Sequence, residues 1–245
     1  MHTIALATQK GGSGKSTLAI GLALAAMQDG HTVRLIEAGA RSTLSNWSRR
    51  RALAEPCVEP ILSADDVEQR LEIFDRNGVT LTIVDTAGLG AITTAAIRHA
   101  DLVLIPARPS PADIEATAPT LGLARAWRKP FAFVLNQTPM RGRRVGNAAT
   151  TLGDEAALDV SDILAQPCIV MRNDHQDALG AGLAVSEYAP ASKSSEEIRD
   201  LWRWVESKLT AGASAHDQPV DFHAAPEIQP TIYLPTPAQA IAIVG

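Results

Sequence analysis

Cysteine is scarce in this sequence: Cys57 and Cys168 are the only two in 245 residues. They form neither a C-x-x-C motif nor a Cys/His cluster with the spacing of metal ligands, so the sequence predicts no disulfide framework and no zinc site. We interpret both as small, buried apolar side chains. The chain also lacks a run of about 18 apolar residues, the length that a membrane-spanning helix needs. Because a strand pattern begins almost at the first residue, we expect no signal peptide, and we expect a cytoplasmic protein without membrane attachment.

Aromatic residues are rare as well, at 4%, whereas hydrophobic residues make up 46% of the chain. Ala, Leu, Ile and Val dominate, which is typical of a parallel sheet covered by helices. The formal net charge is −5, so the chain as a whole is not a basic nucleic-acid binder. No Lys or Arg follows Lys208. The rest of the chain is therefore nearly neutral and can carry local basic patches.

Strand patterns and helix patterns alternate along the chain. This order predicts an α/β fold with a doubly wound, mostly parallel sheet and helices on both faces. The predicted strands are 3–7, 33–36, 81–84, 102–105, 131–135 and 167–171. The predicted helices are 18–27, 64–75, 91–99, 112–128, 146–152 and 194–209. From residue 210 onward Ala, Gly, Ser and Pro dominate, so we predict one domain over 1–209 and a disordered or loosely docked tail over 210–245.

Residues 9–17, which read Gln-Lys-Gly-Gly-Ser-Gly-Lys-Ser-Thr, form a glycine loop between a predicted strand and a predicted helix. The backbone N–H groups and the helix dipole of such a loop bind anions, and glycine lets the backbone close around phosphate oxygens. Lys15 can reach the β- and γ-phosphates, and the Ser16 hydroxyl can ligate Mg²⁺. The alternative is a glycine turn beside a surface lysine. The residues predicted to bind nucleotide are Gly11, Gly12, Ser13, Gly14, Lys15, Ser16 and Thr17.

The loop departs from the general phosphate-loop pattern in one informative way. That pattern would begin with glycine at position 9, which is Gln9, and a second lysine, Lys10, precedes the glycines instead. This form is the deviant Walker A motif, and it resembles the ParA/MinD family of SIMIBI-type P-loop NTPases, which partition DNA and position cell machinery. The resemblance implies ATP and Mg²⁺ as cofactors. It also implies an ATP-dependent homodimer in which Lys10 reaches the nucleotide of the partner subunit.

Two further strand ends carry motifs of this family. Asp85 ends the apolar run Ile83-Val84 and matches a Walker B acid, which holds the Mg²⁺ shell together with Ser16. The alternative for Asp85 is a cap at the end of a strand. Asn136 ends the fifth predicted strand and matches the family's adenine-contacting asparagine, and its alternative is a turn residue. A guanine reader would have Asn-Lys-x-Asp, and position 139 is Pro139, so the sequence disfavours GTP.

The end of the second predicted strand departs from the family. Glu37 and Gly39 stand where relatives carry two aspartates that help to organise Mg²⁺ and the attacking water. Glu37 can keep that role with one extra methylene, whereas Gly39 has no carboxylate. Because a small misplacement of a catalytic group costs about 10²-fold in rate, we expect slow hydrolysis. The predicted catalytic residues are Lys10, Lys15, Glu37 and Asp85.

Basic residues cluster at 49–51, at 141–144 and near the C-terminal helix. For any one cluster a solvated surface is the alternative interpretation. The family resemblance implies non-specific DNA binding near the C-terminal helices of the ATP-bound dimer, through phosphate contacts that are sensitive to salt. The residues predicted to bind DNA are Arg172, Lys193, Arg199 and Arg203.

Residues 42–48, which read Ser-Thr-Leu-Ser-Asn-Trp-Ser, resemble small, ParF-like partition ATPases, and this resemblance implies a protein that associates with the nucleoid. It would position a plasmid, a chromosome region or a protein cargo with the help of a ParB-like adaptor, and it would not bind membranes. One alternative is a regulator of the same fold that binds ATP but hydrolyses it poorly. Another is a metabolic or metal-trafficking enzyme of the superfamily, which the missing C-x-x-C motif disfavours.

Overall fold

The computed structural model describes residues 1–216 except positions 41 and 142, with backbone only from residue 212 onward. Of the predicted tail at 210–245, residues 210–216 continue the last helix, and the remainder lies outside the described residues. Within the described part, no helix is both long and apolar enough to cross a bilayer.

Six strands form one sheet in which all neighbouring strands are parallel. Their bounds are β1 His2–Leu6, β2 Val33–Ala38, β3 Cys57–Ile61, β4 Leu81–Thr86, β5 Leu102–Ala107 and β6 Phe131–Leu135. The strand order is β3-β2-β4-β1-β5-β6. This confirms the predicted doubly wound, parallel α/β fold, in which β1 lies inside the sheet between β4 and β5.

Eleven helices are found in the described part of the chain. Their bounds are α1 Lys15–Gln28, α2 Thr43–Arg50, α3 Asp65–Arg76, α4 Ala91–His99, α5 Pro111–Glu115, α6 Ala118–Ala126, α7 Arg144–Ala156, α8 Val160–Ile163, α9 Asp174–Gly180, α10 Val185–Tyr188 and α11 Lys193–His216. One buried cluster joins the sheet to α1, α2, α10 and α11, and a second joins the opposite face to helices α3 to α8. Because side chains alternate between the two faces of a strand, the buried strands supply both clusters.

Two sequence predictions about strands were wrong. Strand β3 was missed because it is a half-exposed edge strand that contains Pro60, and its pattern is neither apolar nor alternating. Residues 167–171 form no strand of the sheet. Their segment makes three backbone hydrogen bonds to residues 135–138, at and just beyond the end of β6, and one isolated bridge, between Val170 and Thr138. Pro167 lacks an N–H group and so cannot continue a ladder.

The helix predicted over 112–128 is two helices, α5 and α6. The Thr117 hydroxyl donates a hydrogen bond to the Ile114 carbonyl oxygen at the break, and Pro119 lies in the first turn of α6. Proline suits a first turn because that position has no N–H partner within the helix. The predicted helix at 91–99 has the predicted bounds, and α11 runs seven residues beyond the predicted end at 209.

The parallel strands end at one edge of the sheet, and their register gathers the predicted functional residues there. Asp85 is the register partner of Leu6 on β1 and of Glu37 on β2. The glycine loop follows β1, and Asn136 follows β6. This edge, at a reversal of strand order, is where open α/β sheets bind their ligands.

Candidate nucleotide-binding site

The glycine loop leads from the buried strand β1 directly into helix α1. Gly12 and Gly14 have φ values of +76° and +91°, which side-chain-bearing residues rarely adopt. Gly14 is the N-cap of α1, and no side chain caps the helix. The first N–H groups of α1 therefore face the loop with the positive end of the helix dipole behind them, which is the arrangement that binds phosphate.

Lys15 is buried within this loop, with 6% of its surface exposed. Its Nζ donates hydrogen bonds to the carbonyl oxygens of Thr8, at 3.2 Å, and Lys10, at 3.4 Å. The ammonium group is thus held inside the turn of the loop. The side chain of Lys10 is half-buried. Only the backbone of Lys10 contacts Lys15 in these bonds, so the two lysines of the motif have different surroundings.

Ser16 and Asp85 lie side by side across the site. The Ser16 hydroxyl donates a hydrogen bond to Asp85 Oδ2 over 2.5 Å, and Asp85 is buried. A hydroxyl and a carboxylate at the phosphate loop are oxygen ligands of the kind that Mg²⁺ takes in nucleotide sites. These two residues could therefore hold Mg²⁺ directly or through water. Among the described residues, no group of three or more His, Cys, Asp or Glu side chains could hold a metal ion.

The loop borders a cavity of about 260 Å³ that also reaches Ser16, Glu37 and Asp85. Ser13 lines this cavity, and its hydroxyl oxygen is buried with no hydrogen-bond partner in the described part of the chain. A buried polar atom without a partner is costly unless a ligand or water satisfies it. The orphaned hydroxyl thus fits a site built for a polar ligand such as phosphate.

Glu37 is buried beside this cavity, but its carboxylate caps helix α2. Oε1 accepts a hydrogen bond from the backbone N–H of Leu44 at 2.7 Å, and Oε2 accepts from the backbone N–H of Ser45 at 3.2 Å and from its hydroxyl. Ser42, the N-cap residue, makes no side-chain cap. A carboxylate at the end of β2 therefore caps the N-terminus of α2 in place of a local N-cap side chain. The predicted catalytic role of Glu37 stays a prediction.

Gly39 has a conformational reason to be glycine. Its φ is +120°, and a Cβ atom placed there would lie 2.7 Å from Cβ of Ala87. Its N–H also donates a hydrogen bond to the Ile61 carbonyl oxygen at the end of β3. An aspartate at this position would be strained and would collide with the loop after β4. By its resemblance to the family, the sequence indicates that Gly39 replaces an aspartate. The backbone conformation shows that this position requires glycine.

Asn136 contacts the phosphate loop. Its Nδ2 donates a hydrogen bond to the Ser13 carbonyl oxygen at 2.8 Å, and its Oδ1 accepts one from the Gln137 N–H at 2.9 Å. The next side chain repeats the contact, since Gln137 Nε2 donates to the Gly12 carbonyl oxygen at 2.8 Å. A Cβ on Gly14 would lie 2.2 Å from Asn136 Nδ2, so this packing also requires glycine. The predicted adenine contact of Asn136 stays a prediction.

A second cavity, of about 240 Å³, adjoins the same loop on the β6 side. His175 of helix α9 lines it, and the Nε2 atom of His175 is buried with no hydrogen-bond partner among the described residues. Burial lowers the pKa of His175 below its usual value, although Glu197 and Asp174 act to raise it. No sequence motif surrounds His175, and only the path of the chain after β6 brings it to the loop.

The four residues predicted to bind DNA have different surroundings. Arg172 pairs with Glu197 through two hydrogen bonds of 2.6 and 2.8 Å. Arg199 donates hydrogen bonds to the Pro190 carbonyl oxygen and the Ser195 hydroxyl. Arg203 is exposed and pairs with Asp200, three residues earlier in α11. Lys193 is exposed at the first position of α11. Arg172 and Arg199 are half-buried, whereas Lys193 and Arg203 are exposed.

The arginine cluster at 49–51 is largely structural. Arg50 donates two hydrogen bonds to the Leu179 carbonyl oxygen. Arg51 is buried and forms a bidentate pair with Glu187, with both distances 2.7 Å.

Cys57 and Cys168 are free and half-buried rather than fully buried, and burial raises the pKa of the Cys168 thiol.

The VirC1 protein family matches residues 1–126, which is half of the chain and includes the loop, Glu37 and Asp85. The chain belongs to this family. It is 30% identical over 158 residues to maintenance of carboxysome distribution protein A from Halothiobacillus neapolitanus, covering 61% of this chain and 73% of that protein. It is also 32% identical over 129 residues to protein ParA from Rhizobium radiobacter, covering 50% of this chain and 56% of that protein. This VirC1-family chain is thus a ParA/MinD-family protein.

Solved structures agree with the fold of this family. The septum site-determining protein MinD with Mg-ADP from Pyrococcus horikoshii superposes with a TM-score of 0.70 at 15% identity, covering 86% of this chain and 98% of that chain. The ParA family ATPase from Chlorobium tepidum has a TM-score of 0.64 at 17% identity, covering 83% and 98%. At such identities the likeness shows the P-loop NTPase fold alone. The ParA/MinD family to which this VirC1-type chain belongs is a family of ATPases.

Proposed function

We propose that this protein is an ATP-dependent, dimerising ATPase that binds DNA without sequence preference and positions a plasmid, a chromosome region or a protein cargo. The observation that carries the proposal is the phosphate loop itself. Lys15 is buried inside it, and the Ser16 hydroxyl is hydrogen-bonded to Asp85 at its edge. That combination supports binding of a nucleoside triphosphate with Mg²⁺ and has no other evident use.

In the proposed mechanism the chain contributes positioning and charge. The N–H groups at the start of α1 and the Lys15 ammonium bind phosphate oxygens and stabilise charge that develops during phosphoryl transfer. Ser16 and Asp85 would hold Mg²⁺ at the edge of the loop, directly or through water. Mg²⁺, when bound, supplies a positive charge to the β- and γ-phosphates. Attack by water on the γ-phosphorus then breaks its bond to the bridging oxygen and yields ADP and phosphate.

Dimerisation is proposed to pass through Lys10. The Lys15 ammonium is held inside the loop, whereas the half-buried Lys10 side chain makes no hydrogen bond or ion pair with the other described residues. A lysine before the glycines is the feature that resembles the deviant Walker A motif, in which it contacts the nucleotide of the partner subunit. ATP would thereby join two copies of the chain, and ADP would join them less well.

Positioning is supported by the names of the relatives, which include a carboxysome distribution protein and a ParA protein. We propose a cytoplasmic, nucleoid-associated protein in which the ATP-bound dimer holds DNA through basic residues near α11. A ParB-like adaptor would stimulate hydrolysis and so release the dimer. The exposed Lys193 and Arg203 are the strongest candidates for phosphate contacts in this region.

A second candidate is a switch that binds ATP and hydrolyses it very slowly. Both carboxylate oxygens of Glu37 are bonded to the start of α2, and position 39 carries no carboxylate. Neither residue is therefore free to orient the attacking water in this arrangement. Such a protein would dimerise with ATP and act as a regulator rather than as a cycling ATPase.

The test is phosphate release by the full chain with Mg·ATP, with and without DNA and a candidate ParB-like adaptor. Lys15→Ala and Asp85→Asn serve as site controls. Turnover that both variants abolish supports the ATPase. ATP binding by calorimetry without turnover under any condition favours the switch. If the chain binds no nucleotide, both candidates are wrong.

A further inference from the structure

A groove at the amino ends of the strands lies on the opposite edge of the sheet from the phosphate loop. Its lining includes His2, Leu102 and Phe131, which are the first residues of β1, β5 and β6. Its volume is about 950 Å³, near the top of the ~300–1,000 Å³ range of pockets for drug-sized molecules. This amino-edge groove can therefore hold several side chains of a peptide. Among the described residues, it shares none with the cavity at the phosphate loop.

The walls of the amino-edge groove include large apolar side chains that are not covered. Trp127, which follows α6, is 43% exposed, and Leu158, which precedes α8, is 49% exposed. Trp204 of α11 is half-buried there. The Arg98 guanidinium carbon lies 5.6 Å from the centre of the Trp127 ring, and Lys208 Nζ lies 5.2 Å from that of Trp204, so cations hold both rings in place. Exposed apolar surface of this kind marks an interaction site.

The charges around the groove favour an acidic segment. Three cationic side chains line it, namely Arg128, Lys129 and Lys208. Two carboxylates line it as well, those of Asp101 and Asp162. One of them, Asp101, already accepts a hydrogen bond from the backbone N–H of Thr3, at 2.7 Å. A segment with acidic residues and no basic ones would therefore gain from the surplus of positive charge.

The chain itself supplies a segment of this chemistry. Residues 217–245 lie outside the described residues, and their sequence has three acids, five prolines and no Lys or Arg. Within it, residues 230–237 read Pro-Thr-Ile-Tyr-Leu-Pro-Thr-Pro, so three large apolar side chains stand between prolines. Grooves lined by aromatic rings recognise proline-rich segments, because proline limits the backbone freedom that docking would remove.

The position of α11 brings this segment within reach of the groove. Leu209 of α11 lines the groove, and the helix ends at His216, seven residues and so about 10 Å further along its axis. Residues 217–229 span up to about 45 Å when extended, which is ample for a return to the groove. A segment attached in this way has an effective concentration of the order of 1 mM. With a Kd of about 0.1 mM as a free peptide, it would be docked about nine-tenths of the time.

From these observations we infer that residues 230–237 dock into the amino-edge groove of the same chain. Ile232, Tyr233 and Leu234 pack against its apolar walls, and the acidic residues that precede them lie toward its cations. The occupant is a part of this chain, because its composition matches the groove and the helix that leads to it forms one of the walls. The inference goes beyond the proposed function, since it needs no nucleotide.

Proteolysis of the full chain tests docking, because a docked segment is cleaved slowly. Chymotrypsin cuts after Tyr233 inside the segment and after Phe222 outside it, and mass spectrometry gives both rates from one digest. The readout is the rate after Tyr233 divided by the rate after Phe222. The same ratio in a synthetic peptide of residues 217–245 corrects for the preference of the protease between the two sites.

The variants separate the groove from the rest of the surface. Trp127→Ala and Leu158→Ala each remove an exposed side chain from the groove, and the second keeps the test decisive if the first alters the fold. Tyr188→Ala is the matched control, since it removes an aromatic side chain that is 47% exposed and does not line the groove.

We expect the wild-type ratio to be about tenfold below that of the synthetic peptide. Trp127→Ala should raise it about two- to tenfold, the effect of one aromatic contact. Leu158→Ala should raise it as well, and Tyr188→Ala should leave it unchanged. Equal ratios in the wild-type chain and the peptide overturn the inference, as does protection that neither groove variant reduces. Protection that increases with protein concentration also overturns it, and assigns the groove to the segment of a second copy.

Discussion

The side-chain amide of Asn136 donates a hydrogen bond to the backbone carbonyl oxygen of Ser13, over 2.8 Å, and so ties the end of β6 to the phosphate loop. The two residues are 123 positions apart in the sequence. The bond is buried, and the closeness of Asn136 to Gly14 leaves no space there for a larger residue. The shape of the phosphate loop therefore depends on a strand two places across the sheet from β1.

Asn136→Ala should weaken the binding of ATP and of tripolyphosphate together, about two- to tenfold, because the loop loses a buried hydrogen bond that sets its shape. Calorimetry measures both affinities. Gln137→Asn is the matched control, because the shorter side chain loses the exposed hydrogen bond to the Gly12 carbonyl oxygen. Asparagine also tolerates the φ of +52° at that position. We expect a smaller loss there. A loss confined to ATP would instead assign Asn136 to the base.

The two lysines of the loop should separate binding from dimerisation. Lys15→Ala removes a buried ammonium from the phosphate site and should weaken ATP binding itself. Lys10→Ala should leave ATP binding nearly intact and abolish ATP-induced dimers in light scattering. A Lys10→Ala protein that dimerises normally with ATP would disprove the role of Lys10 across the dimer.

Gly39→Ala should lower the free energy of unfolding by about 2 kcal/mol, because a side chain at a φ of +120° is strained and would also meet Ala87. Gly78→Ala is the matched control, since Gly78 has a φ of +75° and no atom within 4 Å of an added Cβ. It should cost about 1 kcal/mol. Urea denaturation measures both. Equal losses would mean that the contact with Ala87 relaxes freely, and Gly39→Asp would then be a fair test of hydrolysis.

Glu187→Gln should destabilise the protein by about 3 kcal/mol at pH 7, because it leaves the buried Arg51 guanidinium with a poorer partner. Burial acts to raise the pKa of Glu187, but hydrogen bonds from Arg51 and from the Ala184 N–H lower it overall. A lowered pKa means that the pair stabilises the fold above the ordinary pKa of glutamate, ~4.3, and stops doing so as the pH falls through the lower, folded value.

Urea denaturation of wild type and Glu187→Gln at several pH values checks this. The free energies of unfolding of the two proteins should become equal at acidic pH. Asp200→Asn is the control, since it breaks the exposed pair with Arg203 and should change stability by at most about 0.5 kcal/mol. A difference between wild type and Glu187→Gln that does not change with pH would contradict the role of the ion pair.

Lys193→Ala should weaken DNA binding by the ATP-bound protein equally for all sequences, and should reduce the slope of log affinity against log salt by about 0.9. Arg172→Ala should instead lower stability, because it breaks the bidentate pair with Glu197. Fluorescence anisotropy with two unrelated duplexes over a salt series measures the first effect. Binding that strongly prefers one duplex, or that needs no ATP, would contradict the proposal.

Local patterns in the sequence were enough to predict the fold class and the phosphate loop of this protein. Five of the six strands and the order of β and α elements follow from apolar runs and their spacing, because buried parallel strands are apolar along their whole length. The phosphate loop could be read directly, since its glycines, Lys15 and Ser16 are adjacent in the chain and act through backbone conformation. Asp85 followed in the same way, as the acid at the end of an apolar strand.

Only the tertiary structure decided which side chains of the site are committed to other contacts. The sequence predicts a catalytic acid at Glu37, whose carboxylate instead caps α2. Arg51 belongs to a basic cluster interpreted as surface, but it is buried against Glu187. Gly39 was interpreted as the loss of an acid, whereas the φ at that position requires glycine. His175 carries no motif and yet lies beside the loop. These facts depend on partners far away in the sequence. Residue types and spacing do not encode them, because the burial and pairing of a side chain are set by how the elements pack.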